Sequence, residues 1–246
     1  MMQDPRTSII EKRLQNIKRV IAVSGGKGGI GKSVTSSLLA LALSKEGYKV
    51  GLLDFDLSSP SDHVILGIKD VMPVEENGVV PPEVNDVQFM SVVFYAQDKP
   101  TPLRGEEISD AIKEILCITR WNNLDFLIID MPPGIGDELF DTIELFKKTE
   151  FLLLSTSSKV VFETVRKLMI LLQEMRIPVL GIAENMKRKE ESFVREVCDK
   201  YKVSFLGEIR FDENFENAVG NVEKILHTKV FEDIQKIAKT LSKQIV

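Results

Sequence analysis

Eight residues constrain this chain more than any others: Gly26-Lys27-Gly28-Gly29-Ile30-Gly31-Lys32-Ser33. They satisfy the spacing G-x-x-x-x-G-K-[ST], follow the apolar run Val20-Ile21-Ala22-Val23 and open the helical pattern Ser36-Leu38-Leu39-Ala40-Leu41. Strand, glycine-rich turn and helix start, in that order, make a phosphate cradle. The glycines permit a tight turn that gathers successive N–H groups, and the helix N-terminus adds partial positive charge. The spacing predicts that Lys32 faces the β- and γ-phosphates of ATP and that the Ser33 hydroxyl ligates Mg2+. Gly26, Gly28, Gly29, Ile30, Gly31 and Val34 complete the predicted binding segment. A glycine turn without a ligand is the alternative, and the strand–loop–helix context rejects it. Lys27 stays open at this point. A second lysine is not needed to hold phosphate in its own subunit, so spacing alone leaves it either a functional charge or an exposed residue at a tolerant position.

The remainder of the chain repeats one theme. Short β-rich runs (Val20–Ser24, Lys49–Asp54, Val87–Phe94, Leu124–Asp130, Phe151–Ser155 and Val179–Glu184) alternate with helical patterns near Lys32–Glu46, Glu107–Arg120, Glu138–Lys147, Lys159–Met175 and Glu190–Tyr201. Most of the runs are continuously apolar, as strands buried on both faces are. The expectation is a doubly wound α/β fold with a mostly parallel central sheet and helices on both faces, in a single domain over 1–246. Ser58 to Asp86 breaks the rhythm with four prolines and is read as an excursion over the strand ends, where ligand sites form in such folds. Phe231, Ile234, Ile237, Ala238, Leu241 and Ile245 share one face of a final helix, and packing on the sheet is preferred to a membrane or partner role.

Three acids stand at strand ends. Asp130 closes the run Leu124–Asp130 ahead of Met131-Pro132-Pro133-Gly134, where a carboxylate holds magnesium through water. Asp54 and Asp56 close the second run, and alternation places both side chains on one side of the backbone. One of them would touch the metal shell and the other orient water, the alternative being a pair of solvated acids. His63 and His227 are isolated, and Trp121 reads as packing. The formal net charge of −5 argues against nucleic-acid binding through a basic surface. Two widely separated cysteines, Cys117 and Cys198, fit a reducing compartment, and no apolar stretch is long enough to span a membrane. A soluble cytoplasmic protein is expected, with no membrane or nucleic-acid partner.

The loop with its internal Lys27 resembles the deviant Walker A loop of the MinD/ParA/Mrp branch of P-loop ATPases. Within that branch the chain resembles the Mrp/ApbC iron–sulfur cluster carriers along nearly its whole length. The matching stretches are Leu53-Asp54-Phe55-Asp56 with Ser59-Pro60-Ser61, Arg104-Gly105, Trp121 with Leu124-Asp125, Asp130 through Asp137, Pro178 through Gly181, Glu184-Asn185-Met186 and Phe205 through Ile209. The resemblance implies a homodimer in which Lys27 reaches the partner's ATP phosphates. It also implies Asp56 as the acid that activates water, Asp54 beside magnesium, Asp130 as the Walker B acid and Asn185 against the adenine ring. Lys27, Lys32 and Asp56 are thus the expected catalytic set, and Ser33, Asp54 and Asp130 the expected metal set.

Departures from the family pattern narrow what is carried over. A Cys-x-x-Cys pair normally follows the Asn-Met, and here Lys187-Arg188-Lys189-Glu190-Glu191-Ser192 follows instead. Ile135, Ser157-Ser158, Val34 and Arg210 replace the usual Thr, Pro-Gln, Thr and Pro. The expected function is a slowly hydrolysing, Mg-ATP-dependent dimeric switch of the Mrp type, without a stable iron–sulfur cluster on the homodimer alone. An iron–sulfur client or scaffold protein is the expected partner. The alternatives are a MinD/ParA-like dimerisation switch acting on a protein, membrane or DNA surface, and a nucleotide sensor without catalysis.

Overall fold

A computed structural model describes residues 4–96, 105–188 and 192–243. In chain order the elements are α1 (Pro5–Leu14), β1 (Ile17–Ser24), α2 (Lys32–Lys45), β2 (Val50–Asp54), α3 (Asp62–Ile65), β3 (Val74–Glu75), β4 (Val79–Val80), β5 (Glu83–Val84), β6 (Val87–Ser91), α4 (Val93–Ala96), α5 (Glu106–Ile118), β7 (Leu124–Asp130), α6 (Asp137–Leu145), β8 (Thr149–Thr156), α7 (Lys159–Glu174), β9 (Val179–Lys187), α8 (Phe193–Tyr201), β10 (Phe205–Arg210), α9 (Val222–Ile225) and α10 (Lys229–Ser242). Eight strands form one sheet in the order β10-β9-β8-β1-β7-β2-β6-β5. All neighbours run parallel except the β5–β6 hairpin at the edge. The small β3–β4 hairpin stands apart, within the proline-rich excursion.

The apolar runs become strands because both faces of the sheet are covered. In β1, Val20 and Ala22 pack on one side with α1, α5, α6, α7 and α8, while Ile21 and Val23 pack on the other with α2 and α10. β7 divides the same way, Leu127 and Ile129 against Phe126 and Ile128. Side-chain caps start several helices by accepting otherwise orphaned N–H groups. Asp4 accepts from Arg6 in α1, Ser158 from Val161 in α7, Ser192 from Arg195 in α8 and Thr228 from Phe231 in α10. The stripe of α10 is core: Phe231, Ile234, Ile237, Ala238 and Leu241 are buried with residues of α2 and the sheet. Ile245 lies outside the described residues.

Several boundaries differ from the sequence reading, each for a local reason. The run Val87–Phe94 splits, since β6 ends at Ser91 and its Oγ accepts the Val93 N–H at the start of α4. The pattern Glu190–Tyr201 becomes a helix only from Phe193, after the Ser192 cap, with Glu190 and Glu191 outside the described residues. β10 escapes an apolar-run search because most of its residues are only half-buried at the sheet edge. α1 escapes it because Ile10 alone among its ten residues is buried. That single anchor sits in the core cluster beneath α5 and α6. Ile10→Ala should therefore cost about 2–4 kcal/mol in urea unfolding, whereas Ile9→Ala, at an exposed position, should leave the midpoint nearly unchanged.

Candidate functional site

Sheet register builds the site. β1, β7 and β2 are adjacent and parallel, so their C-terminal ends open on the same edge, and Asp130 pairs with Val23 on one side and Asp54 on the other. The glycine loop leaves β1 at that edge and enters α2 through Gly31, whose φ of 87° is the left-handed conformation that glycine tolerates. Two close approaches set the loop's shape. A Cβ on Gly26 would lie 2.4 Å from Thr164 of α7, and one on Gly31 would lie 2.2 Å from Asn185 Nδ2. Asn185 uses that proximity, donating from Nδ2 to the Ile30 carbonyl at 2.8 Å. Lys27, Gly28 and Gly29 at the crest are exposed, Ile30 is buried, and Val34 lies half-buried one residue past Ser33.

Lys32 is buried on the first turn of α2, and its Nζ donates to the Lys27 carbonyl at 3.4 Å. Burial lowers its pKa, an effect opposed by the fields of Asp130 and Asp56. Asp130 is also buried and accepts from Ser33 and, at 2.8 Å, from the Ser36 hydroxyl. Burial pushes its pKa up to about 6 against those hydrogen bonds and the charge of Lys32. Asp54 is raised well above the carboxylate range, first by burial and then by Asp130.

Asp56 does not share Asp54's setting. β2 ends at Asp54, so strand alternation does not reach Asp56. The Asp56 N–H donates to Asp54 Oδ1 at 3.2 Å, and its half-buried carboxylate accepts the N–H groups of Ser58 and Ser59 at 3.2 and 3.0 Å.

A third buried acid joins the strand-end pair. Asp62, on the first turn of α3, accepts from the Ser37 hydroxyl at 2.6 Å. One carboxylate oxygen from each of Asp54, Asp62 and Asp130 lies within 4.8 Å of the others. Asp62 is raised by burial first and by Asp130 second. Sequence reasoning missed Asp62, Ser36 and Ser37, since an acid after Ser61 reads locally as ordinary first-turn charge. Oδ2 of Asp130 and Oδ2 of Asp62 are buried without a hydrogen-bond partner. Buried orphaned oxygens beside the Ser33 hydroxyl are the donor set that a hard divalent cation takes, so these residues fit Mg2+.

Cys198 sits in the core on α8, where burial pushes its thiol up to about 11, and Cys117 packs on the core from α5. Trp121 is core as well. Arg210 is held by Asp233 and Glu232, 2.6 and 2.9 Å away. Ser157 donates to the buried Glu184, which pairs with Lys187 at 2.9 Å and also accepts from Ser192. Lys187 and Ser192 are thus held by one carboxylate, while Lys189 to Glu191 lie outside the described residues, as does Arg104.

Fold and site together define a P-loop NTPase of the MinD/ParA type. A family model described as ParA, NUBPL iron-transfer P-loop NTPase, matches residues 16–246, and the chain belongs to that family. The iron–sulfur cluster carrier protein of Aquifex aeolicus is 35% identical over 251 residues, covering 94% of this chain and 69% of the relative. That of Rickettsia felis is 36% identical over 198 residues, covering 80% of this chain and 62% of the relative. The chain thus spans about two thirds of the length of these relatives. Among solved structures, a nucleotide-binding protein of Archaeoglobus fulgidus, in complex with ADP and with cobalt, superposes with a TM-score of 0.76 at 30% identity, covering 92% of this chain and 96% of that one. The cell division ATPase MinD of Pyrococcus furiosus shares the fold, with a TM-score of 0.68 at 22% identity over 92% and 99% of the two chains.

The loop geometry separates two glycines that spacing cannot. Gly29 and Gly31 both have positive φ, but a Cβ on Gly29 meets nothing within 4 Å. Gly31→Ala should lower the melting temperature of the nucleotide-free protein clearly more than Gly29→Ala, which carries only the roughly 1–2 kcal/mol left-handed penalty. Equal shifts in differential scanning calorimetry would show that the Asn185 contact does not shape the loop.

Proposed function

We propose that this chain is a Mg-ATP-dependent dimerisation switch that hydrolyses ATP slowly and serves iron–sulfur cluster assembly or delivery. The observation that carries it is the convergence of Lys32 and Ser33 on the edge that holds Asp54 and Asp130. Lys32, now turned onto the Lys27 carbonyl, swings to the β- and γ-phosphates, and the loop N–H groups cradle them. Ser33, Asp130 and Asp54 are the residues that would hold Mg2+. The cation neutralises charge that builds on the phosphate oxygens. Asp56, half-buried at the mouth, accepts a proton from the attacking water. Asn185, fixed beside the loop, meets the adenine. Lys27 is exposed at the crest, placed to cross a two-fold axis to a second copy's phosphates. Dimerisation, turnover and these assignments are proposals for this chain.

The relatives' role as iron–sulfur cluster carriers suggests the pathway, but the cluster itself needs another source of ligands. A four-iron cluster takes about four thiolates, and the two cysteines here are a core residue and a half-buried one packed on the core. A client or scaffold protein supplies the missing ligands in this reading. The stripe of α10 is packed against α2 and the sheet, which supports a core role for that helix. Among the described residues no helix is long and apolar enough to cross a membrane.

Calorimetry and steady-state turnover test the two lysines together. Lys32→Ala should weaken ATP binding by roughly tenfold or more, since a charged contact is worth about 1.5–3 kcal/mol. Lys27→Ala should bind ATP normally and lose turnover by about a thousandfold, the scale of an arginine finger. Unchanged ATP affinity in Lys32→Ala would sink the site, and full turnover by Lys27→Ala would remove the charge supplied in trans. Anaerobic reconstitution of the homodimer should give iron and sulfide well below stoichiometry. A stoichiometric cluster lost in Cys198→Ser would overturn the partner-ligand reading.

A further inference from the structure

Asp62 changes the character of the metal site. Strand register brings Asp54 and Asp130 together, but Asp62 arrives from a different element, α3, and is held in place by Ser37 on α2. The hydrogen-bond donors that reach these carboxylates are the hydroxyls of Ser33, Ser36, Ser37 and Ser91 and the backbone N–H groups of Asp56 and Asp62. All are neutral. Three wholly buried acids face one another with the charge of Lys32 beside Asp130, and two of their oxygens, Asp62 Oδ2 and Asp130 Oδ2, have no hydrogen-bond partner. Buried polar atoms are seldom left in this state without an ion or water to satisfy them.

The donor set says what kind of ion. One carboxylate oxygen from each of the three acids lies within 4.8 Å of the others, and oxygen donors of this kind suit hard divalent cations such as Mg2+, Mn2+ and Ca2+ over softer metals. We propose that Asp54, Asp62 and Asp130 bind a hard divalent cation, for which Mn2+ is the probe, before any nucleotide arrives, with Asp62 as the ligand that makes nucleotide unnecessary. This rests on the reading of the same edge as a Mg-ATP site and extends it to the empty protein. The phosphate loop would then meet its nucleotide with a cation already below it, and Ser33 would be drawn from Asp130 to the metal.

Mn2+ titration of EDTA-stripped, nucleotide-free protein, followed by electron paramagnetic resonance of the free ion, tests this directly. Wild type should retain one Mn2+ per chain. Asp62→Asn keeps the shape and can still accept from Ser37, yet should weaken Mn2+ by about tenfold to a hundredfold. Ser37→Ala leaves all three carboxylates in place, frees Asp62, and should give a smaller loss in the same direction. A wild-type protein that holds Mn2+ only after ATP is added would overturn the proposal while leaving the Mg-ATP reading intact. Equal Mn2+ affinity in wild type and Asp62→Asn would overturn it too. Mn2+ bound without nucleotide and lost in Asp62→Asn, in a protein that fails to bind ATP, would uphold this site and remove the ATP reading.

Discussion

The parallel pairing of β1, β7 and β2 is the constraint on which the site depends. It places Asp54 against Asp130 and Asp130 against Val23, one residue from the end of the strand that feeds the glycine loop. Parallel ladders demand that both faces be covered, and the apolar residues of α2 and α10 on one side and of α5, α6, α7 and α8 on the other meet that demand. Burial then follows for anything at the strand ends. The carboxylates are desolvated because the sheet that aligns them is itself enclosed, and their raised pKa values are a consequence of the fold's packing.

What could be read from the sequence was what the chain encodes locally. The cradle is eight consecutive residues whose order carries its own mechanism. The strand-end acids Asp54 and Asp130 are marked by the apolar runs that precede them, and the core position of Cys198 by its helix. Asp62 carried no such mark. Its partners are Ser37, Asp54 and Asp130, brought near by the packing of α3 on α2 and the register of the sheet. Asp56 differs in another way: strand alternation was applied two residues beyond the point where the strand stops. Edge strand β10 and helix α1 were hidden because each buries too little for its periodicity to register.

The junction between β9 and α8 is organised around one buried carboxylate. Glu184, deep in the sheet, accepts from Ser157 and Ser192 and pairs with Lys187, tying the end of β8, the end of β9 and the cap of α8 to one carboxylate. A buried pair of this kind is weak support for stability yet strongly constrains geometry, since removing either partner strands the other's charge.

The walls of the phosphate loop come from far away in the chain. Gly26 rests against Thr164 of α7 and Gly31 against Asn185 of β9, and both elements are made long after the loop itself. During synthesis the motif leaves the ribosome well before the surfaces that shape it. The eight residues are therefore a recipe without a mould until α7 and β9 have docked. A nascent chain halted before that point would display an intact motif and no finished cradle.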